Sequence, residues 1–182
     1  MKRLLSIISL FLLLVNVVKA QEESKEEINW LSFEEAIELN KKEKKKILVD
    51  VYTDWCGWCK KMDRTTYSHP EIVEYINKNY YAVKLNAERK DTVKLGSQIF
   101  VNENPESRRS PHQLAVSLLN GKMGYPSTVF LDENVELLNP PISGYLSASS
   151  IEPILHFFGD NVYSKKEMRW QEFQAQFKGK VN

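Results

Sequence analysis

The chain has 182 residues, 42% of them hydrophobic and 27% charged, which excludes a disordered chain or a many-span membrane protein and leaves room for one ordinary domain. With 25 Lys+Arg against 24 Asp+Glu it lacks the basic excess of an electrostatic nucleic-acid binder. Its two cysteines cannot staple a scaffold, so their spacing matters more than their number.

Residues 1–20 read as a secretory signal peptide. Lys2 and Arg3 precede the apolar run Leu4–Val18, and Val18-Lys19-Ala20 suits a signal peptidase. The run falls short of the roughly 20 residues that span a bilayer. Cleavage after Ala20 leaves 22 basic and 24 acidic residues, a net charge of −2. The expected compartment is extracytoplasmic and oxidising, the periplasm if the host is Gram-negative. The ending Gly179-Lys180-Val181-Asn182 carries no ER-retention signal.

Residues 21–30 are expected to be a polar N-terminal segment. Ser32-Phe33-Glu34-Glu35 is a capping box opening a short amphipathic helix, whose tail Lys41–Lys46 reads as a solvated charge run. Ile47–Tyr52 is apolar except for Asp50, as in a strand buried on both faces. Ser68-His69-Pro70-Glu71 predicts a second capped helix, and Tyr81–Leu85 a second buried strand holding one charge, Lys84.

Thr92–Leu95 and Gln98–Val101 flank Gly96-Ser97, a hairpin signal. A polar loop, Asn102–Arg109, leads to a third capping box at Ser110–Gln113 and a helix ending at Gly121. Thr128–Leu131 is a third apolar strand, and Val135–Ile142 an edge strand interrupted by Pro140-Pro141. Ser147–Phe158 is a helix. Met168, Trp170, Phe173 and Phe177 pattern an amphipathic tail helix within residues 161–182. The main domain therefore covers residues 31–160, an α/β sandwich around a central sheet, with an insertion at about 90–110.

The chemical centre is Trp55-Cys56-Gly57-Trp58-Cys59-Lys60, a CxxC pair between a buried strand and a helix. There the helix dipole and free N–H groups favour the Cys56 thiolate, lowering its pKa from about 8.5. Cys59, one turn on, is placed behind it to resolve a mixed disulfide. A zinc half-site would need further ligands, and His69, His112 and His156 lack ligand spacing. A passive staple closing so short a loop would give only about 2 kcal/mol. Asp50, alone in an apolar strand, should have a raised pKa and is a candidate to accept the Cys59 proton. Lys84 is its natural partner, and a purely structural ion pair remains the alternative.

Leu48–Lys60 resembles the active-site strand and helix start of the thioredoxin superfamily, and the resemblance extends over Ile47–Phe158. It implies a thioredoxin fold, a central mixed sheet flanked by helices. It also implies a redox-active Cys56–Cys59 disulfide, with Cys56 as nucleophile and Cys59 resolving. Asp50 stands where that family keeps a buried proton-handling carboxylate, and Lys84 where its lysine lies. Gly124-Tyr125-Pro126-Ser127-Thr128 is similar to the family's cis-proline loop, and Gly144 to its late glycine. Trp55, Gly57, Trp58, Tyr125 and Pro126 are then expected to form the substrate surface.

Two departures stand out. Trp58 replaces the proline that ordinary thioredoxin places before its second cysteine, and 39 residues separate Asn86 from Pro126, far more than in thioredoxin. Trp-Cys-x-x-Cys-Lys followed by Tyr67-Ser68-His69-Pro70 is more similar to the C-terminal domain of the electron transporter DsbD. That resemblance implies a monomeric disulfide reductase or electron relay, without cofactor or metal. Its substrates would be protein thiols and disulfides, with a membrane-bound electron donor of DsbD type. An oxidase or isomerase using the same cysteines, or a non-catalytic binding or chaperone module, is the alternative.

Overall fold

A computed structural model describes residues 26–165 and 168–181 of the chain, so the signal-peptide reading of residues 1–20 lies outside the described residues. The first strand, β1 (Trp30–Leu31), runs parallel to a later strand at Ala82–Val83. Ile28 is buried and the Trp30 ring stands edge-on to Tyr67, centroids 5.0 Å apart. The segment expected to be polar through residue 30 therefore enters the fold by Ile28, because two apolar residues in an acidic run are too few to show a period.

Helix α1 (Phe33–Lys42) opens with the expected capping box. The Glu35 N–H donates to Ser32 Oγ at 3.2 Å, and the Ser32 N–H returns to Glu35 Oε2 at 2.8 Å. Strand β2 (Lys46–Tyr52) begins one residue earlier than the apolar run, and Lys46 corrects the reading of a solvated charge run. It is buried, and its ammonium donates to Glu133 Oε1 and Asn161 Oδ1, both at 2.7 Å. Two acceptors compensate a desolvated charge that solvent does not reach.

Helices α2 (Gly57–Thr65) and α3 (Pro70–Asn79) lead into β3 (Tyr80–Asn86). The N-cap of α3 is His69, with no side-chain cap bond, and Ser68 instead donates back to the Arg64 carbonyl at 2.6 Å. Pro70, with φ already helical, starts the helix without that bond. Strands β4 (Val93–Leu95) and β5 (Gln98–Phe100) form a separate antiparallel hairpin around Gly96, at φ +61°. Helix α4 (Gln113–Leu118) is capped by His112 rather than Ser110, its Nδ1 accepting the Leu114 N–H at 3.1 Å.

After β6 (Ser127–Leu131), the expected edge strand at 135–142 is reduced to one bridge, Leu131 to Leu137, and the two-residue β7 (Ile142–Ser143). Asp132 Oδ1 accepts the N–H groups of Asn134 and Glu136, both at 2.8 Å, which folds the start of that segment into a turn with Val135 at φ +70°. Helix α5 (Ala148–Gly159) is capped by Ser147. The tail is a 3-10 turn, Val162–Ser164, and a short helix α6 (Trp170–Gln176) rather than one continuous helix. Trp170 meets Phe157 edge-on and Phe173 meets it tilted, centroids 5.2 and 5.5 Å away.

The main sheet has the order β1-β3-β2-β6-β7, parallel across β1, β3 and β2 and antiparallel beyond. Period two on β2 sends Ile47, Val49 and Val51 into a core shared with Phe33, Ala36 and Leu114. Leu48 faces the opposite core, with Met62, Ile72, Ile76, Phe130, Ile151 and Leu155. Asp50, two residues on, shares the face of Leu48 and so points beneath α2. No helix among the described residues is long and apolar enough to cross a membrane.

Candidate active site

The central strand β2 delivers the turn Thr53–Trp55, and its chain reverses into α2 with Cys56 as N-cap. The Cys56 N–H donates to the Thr53 carbonyl at 3.1 Å, and Cys56 Sγ accepts the Cys59 N–H at 3.0 Å. The two cysteines are joined as a disulfide with Cα atoms 5.3 Å apart. Cys59 is 2% exposed and Cys56 5%. An N-cap sulfur meets orphan N–H donors and the positive helix end, both of which favour a thiolate once the bond is reduced.

The second wall is the Tyr125-Pro126 loop, whose peptide bond is cis. It is tied to β7 by the Gly144 N–H, which donates to the Pro126 carbonyl at 2.8 Å, and Gly144 sits at φ +104°, open only to glycine without strain. Tyr125 meets Trp55 edge-on, centroids 5.9 Å apart, bringing the loop beside the residue that precedes Cys56. Trp55 and Trp58 are 50% and 57% exposed, so both are rim groups. Trp58 leans on Tyr145 at 5.6 Å. A methyl group at Gly57 would touch nothing, so this glycine is not required for packing.

Beneath α2 lies a charged cluster centred on the buried Asp50. Lys84 on β3, the register partner of Asp50 on β2, donates to Asp50 Oδ2 at 2.6 Å and also to Asp63 Oδ1. Burial pushes the Asp50 carboxyl up to about 6, the lysine opposing only part of that shift. Burial also pulls on Lys84, but the two carboxylates outweigh it and hold its pKa above the ordinary lysine value. Asp50 Oδ1 has no hydrogen-bond partner among the described residues. One oxygen held by an ammonium and one unbonded, with a pKa near neutrality, equip this carboxyl to take and release a proton.

The structure thus gathers Trp55, Cys56, Gly57, Trp58, Cys59, Tyr125 and Pro126 at one end of the sheet, with Asp50 and Lys84 below. Sequence reasoning missed Asp63, Tyr145, Glu88 and Arg109. Asp63 was discoverable, because it follows Cys59 by four residues and so shares its helix face. Glu88 and Arg109 reach the site through long-range contacts, with no spacing to betray them. Glu88 Oε1 accepts the Trp55 indole N–H at 2.9 Å, and the Arg109 guanidinium lies 4.6 Å from the Trp55 ring centroid.

Comparison with known proteins bears on the fold and the family. The family model Thioredox_DsbH, described as a protein of unknown function, DUF255, matches residues 16–177. An uncharacterized protein of Archaeoglobus fulgidus is 34% identical over 89 residues, 49% of this chain and 68% of that one. The thiol:disulfide interchange protein DsbD of Photorhabdus laumondii is 24% identical over 122 residues, 66% of this chain but only 17% of DsbD. A solved structure of a DsbH oxidoreductase superposes with a TM-score of 0.50 at 19% identity, covering 82% of this chain and 92% of that one. The fold is the thioredoxin fold expected from the sequence. The chain belongs to the Thioredox_DsbH family, with the thioredoxin fold and close cysteine pair of a thiol–disulfide oxidoreductase.

Proposed function

We propose that this protein is an exported thiol–disulfide oxidoreductase working as a disulfide reductase or electron relay through Cys56 and Cys59. One observation carries the reading: the less buried cysteine, Cys56, is the N-cap of α2 and its sulfur accepts a backbone N–H, beside the Tyr125-Pro126 loop. Cys56 is the nucleophile and Cys59 resolves. Asp50, positioned by Lys84, handles the proton of Cys59. Trp55, Trp58 and Tyr125 form the surface on which a substrate segment lies. The likeness to thiol:disulfide interchange proteins supports exchange with protein thiols and disulfides; the reducing direction, fed by a membrane-bound thiol donor, is our extension of it.

The Cys56 thiolate forms a bond to one substrate sulfur while the substrate S–S bond breaks and its second sulfur leaves, taking up a proton. Cys59 then loses its proton, bonds to Cys56 Sγ and expels the first substrate thiol. Two electrons pass to the substrate, whose two thiols take the Cys59 proton and one from solvent, where Cys56 had released its own on ionising.

Dithiothreitol-driven reduction of insulin, followed by turbidity, tests the direction. Catalysis above the rate of dithiothreitol alone is expected, with the oxidised protein a poor oxidant of reduced, unfolded ribonuclease A. Fast oxidation of ribonuclease with no catalysis of insulin reduction would overturn the reductase reading.

A further inference from the structure

The insertion between β3 and the cis-proline loop ends on the active-site rim. Its Arg109 guanidinium lies 4.6 Å from the centroid of Trp55, the residue before Cys56. At its base, Glu88 accepts the indole N–H of the same tryptophan at 2.9 Å. Trp55 thus carries Arg109 and Glu88 on one side of its contacts and meets Tyr125 of the cis-proline loop on another.

The loop is built to hold that residue. Arg109 sits at φ +63°, a region that L side chains other than Asn and Asp rarely occupy. The buried Asn102 clasps the chain on either side of it. Its Nδ2 donates to the carbonyls of Arg89 at 3.2 Å and Ser110 at 2.9 Å, while its Oδ1 accepts the Ser110 hydroxyl at 2.7 Å and the Asn104 N–H at 3.1 Å. His112 is fully buried. Because its Nδ1 accepts the Leu114 N–H, its Nε2 carries the proton and donates to the Asp91 carbonyl at 3.0 Å. Arg89 forks between Glu34 and Asp91 and ties the other end to α1.

Arg109 is exposed, and among the described residues no carboxylate pairs with it. Glu88 is engaged at the indole edge, and Asp54, two residues before Cys56, is exposed. A guanidinium stacked on an aromatic face keeps the N–H donors on its edge free for a carboxylate. Lys61 repeats the arrangement on Trp58, two residues after Cys56, its ammonium 4.7 Å from the Trp58 centroid and 4.9 Å from that of Tyr145, again with no carboxylate paired among the described residues. Two cations are therefore seated on Trp55 and Trp58, the tryptophans on either side of Cys56 in the chain.

We propose that Arg109 and Lys61 are specificity residues that recruit disulfide-bearing protein segments carrying carboxylates beside the reactive cysteine. This rests on the thiol–disulfide reading above. The cations touch the substrate's flanks, and the chemistry at sulfur is unchanged.

The test uses two peptides, each closed by one internal disulfide and identical except for two Glu or two Lys residues flanking one cysteine. Reduced protein passes two electrons and two protons to each, yielding peptide dithiol and protein disulfide, with dithiothreitol regenerating the enzyme. For the native protein, KM for the Glu peptide is expected to be about fivefold lower than for the Lys peptide at similar kcat, the gap closing as salt screens exposed charges. Arg109→Lys should keep the preference, Arg109→Glu and Lys61→Glu should each shrink it, and the double variant should reverse it. A reversal of ranking is not something a merely destabilised loop produces. Equal KM values for the two peptides, or a ranking that Arg109→Glu and Lys61→Glu leave unmoved, would overturn the proposal while leaving the oxidoreductase reading intact. Failure of the native protein to reduce either peptide would instead overturn both.

Discussion

Cys56→Ser is expected to abolish disulfide exchange, by at least about a thousandfold, because a serine hydroxyl cannot replace a thiolate as nucleophile. Cys59→Ser should behave differently. Cys56 remains at the helix N-cap and still attacks, but nothing resolves the product, so covalent enzyme–substrate adducts accumulate and run as high-mass bands on non-reducing gels. The asymmetry follows from position. Cys56 Sγ is the sulfur that accepts the Cys59 N–H, whereas Cys59 lies one turn into the helix and is the more buried of the two. Adducts on Cys59 in the Cys56→Ser variant, or unchanged turnover in either, would reverse or remove these roles.

Asp50→Asn should slow turnover by about a hundredfold while stabilising the fold at neutral pH. The kinetic effect is that expected for loss of a positioned proton acceptor, and it should be accompanied by loss of the inflection near pH 6 in the rate profile, where the carboxyl titrates. The stability effect comes from linkage. The folded carboxyl has a pKa of about 6 against an ordinary value of 3.8. As pH rises from about 4 to above 6 the unfolded chain releases this proton first, so the native protein loses stability across that window, by an upper bound of about 3 kcal/mol. The amide of the Asp50→Asn variant has no such proton to lose. Urea midpoints of oxidised native and Asp50→Asn protein should therefore diverge in favour of the variant between pH 4 and pH 7, less whatever Lys84 loses by keeping only Asp63 as partner. A variant less stable than the native protein at pH 7 would show that the Asp50–Lys84 pair is a structural staple.

Much of this was legible because sequence and structure share a local cause. The run Ile47–Tyr52 lacks alternation because β2 is covered on both faces, and period two in that strand is what sends Asp50 under α2. The capping box at Ser32 and the cap at Ser147 are written in a few adjacent residues, as is the hairpin at Gly96. Illegible features depend on residues far apart in the chain. Lys46 is buried because Glu133 and Asn161 come to meet it, over separations of 87 and 115 residues. His112 displaces Ser110 as a cap because the loop that reaches it is fixed by Asn102 and Asp91. The strand expected at 135–142 gave way to a turn at Asp132 and to two prolines that offer no N–H to a neighbour. At the site the sequence exposed the sulfurs, the carboxyl and the cis-proline loop. It hid the charged part of the rim, since nothing near Trp55 in the chain foretells Arg109.

The most direct measurement is the equilibrium reduction potential of Cys56–Cys59, poised against a dithiothreitol series and read from tryptophan fluorescence, for which Trp55 and Trp58 flank the sulfurs. For a two-electron couple about 30 mV changes the equilibrium constant tenfold. A disulfide reductase or relay predicts a value towards the thioredoxin end, about −270 mV. A value near the DsbA end, about −120 mV, would mean that the protein gives disulfides to its substrates, and would contradict the direction of electron flow proposed here.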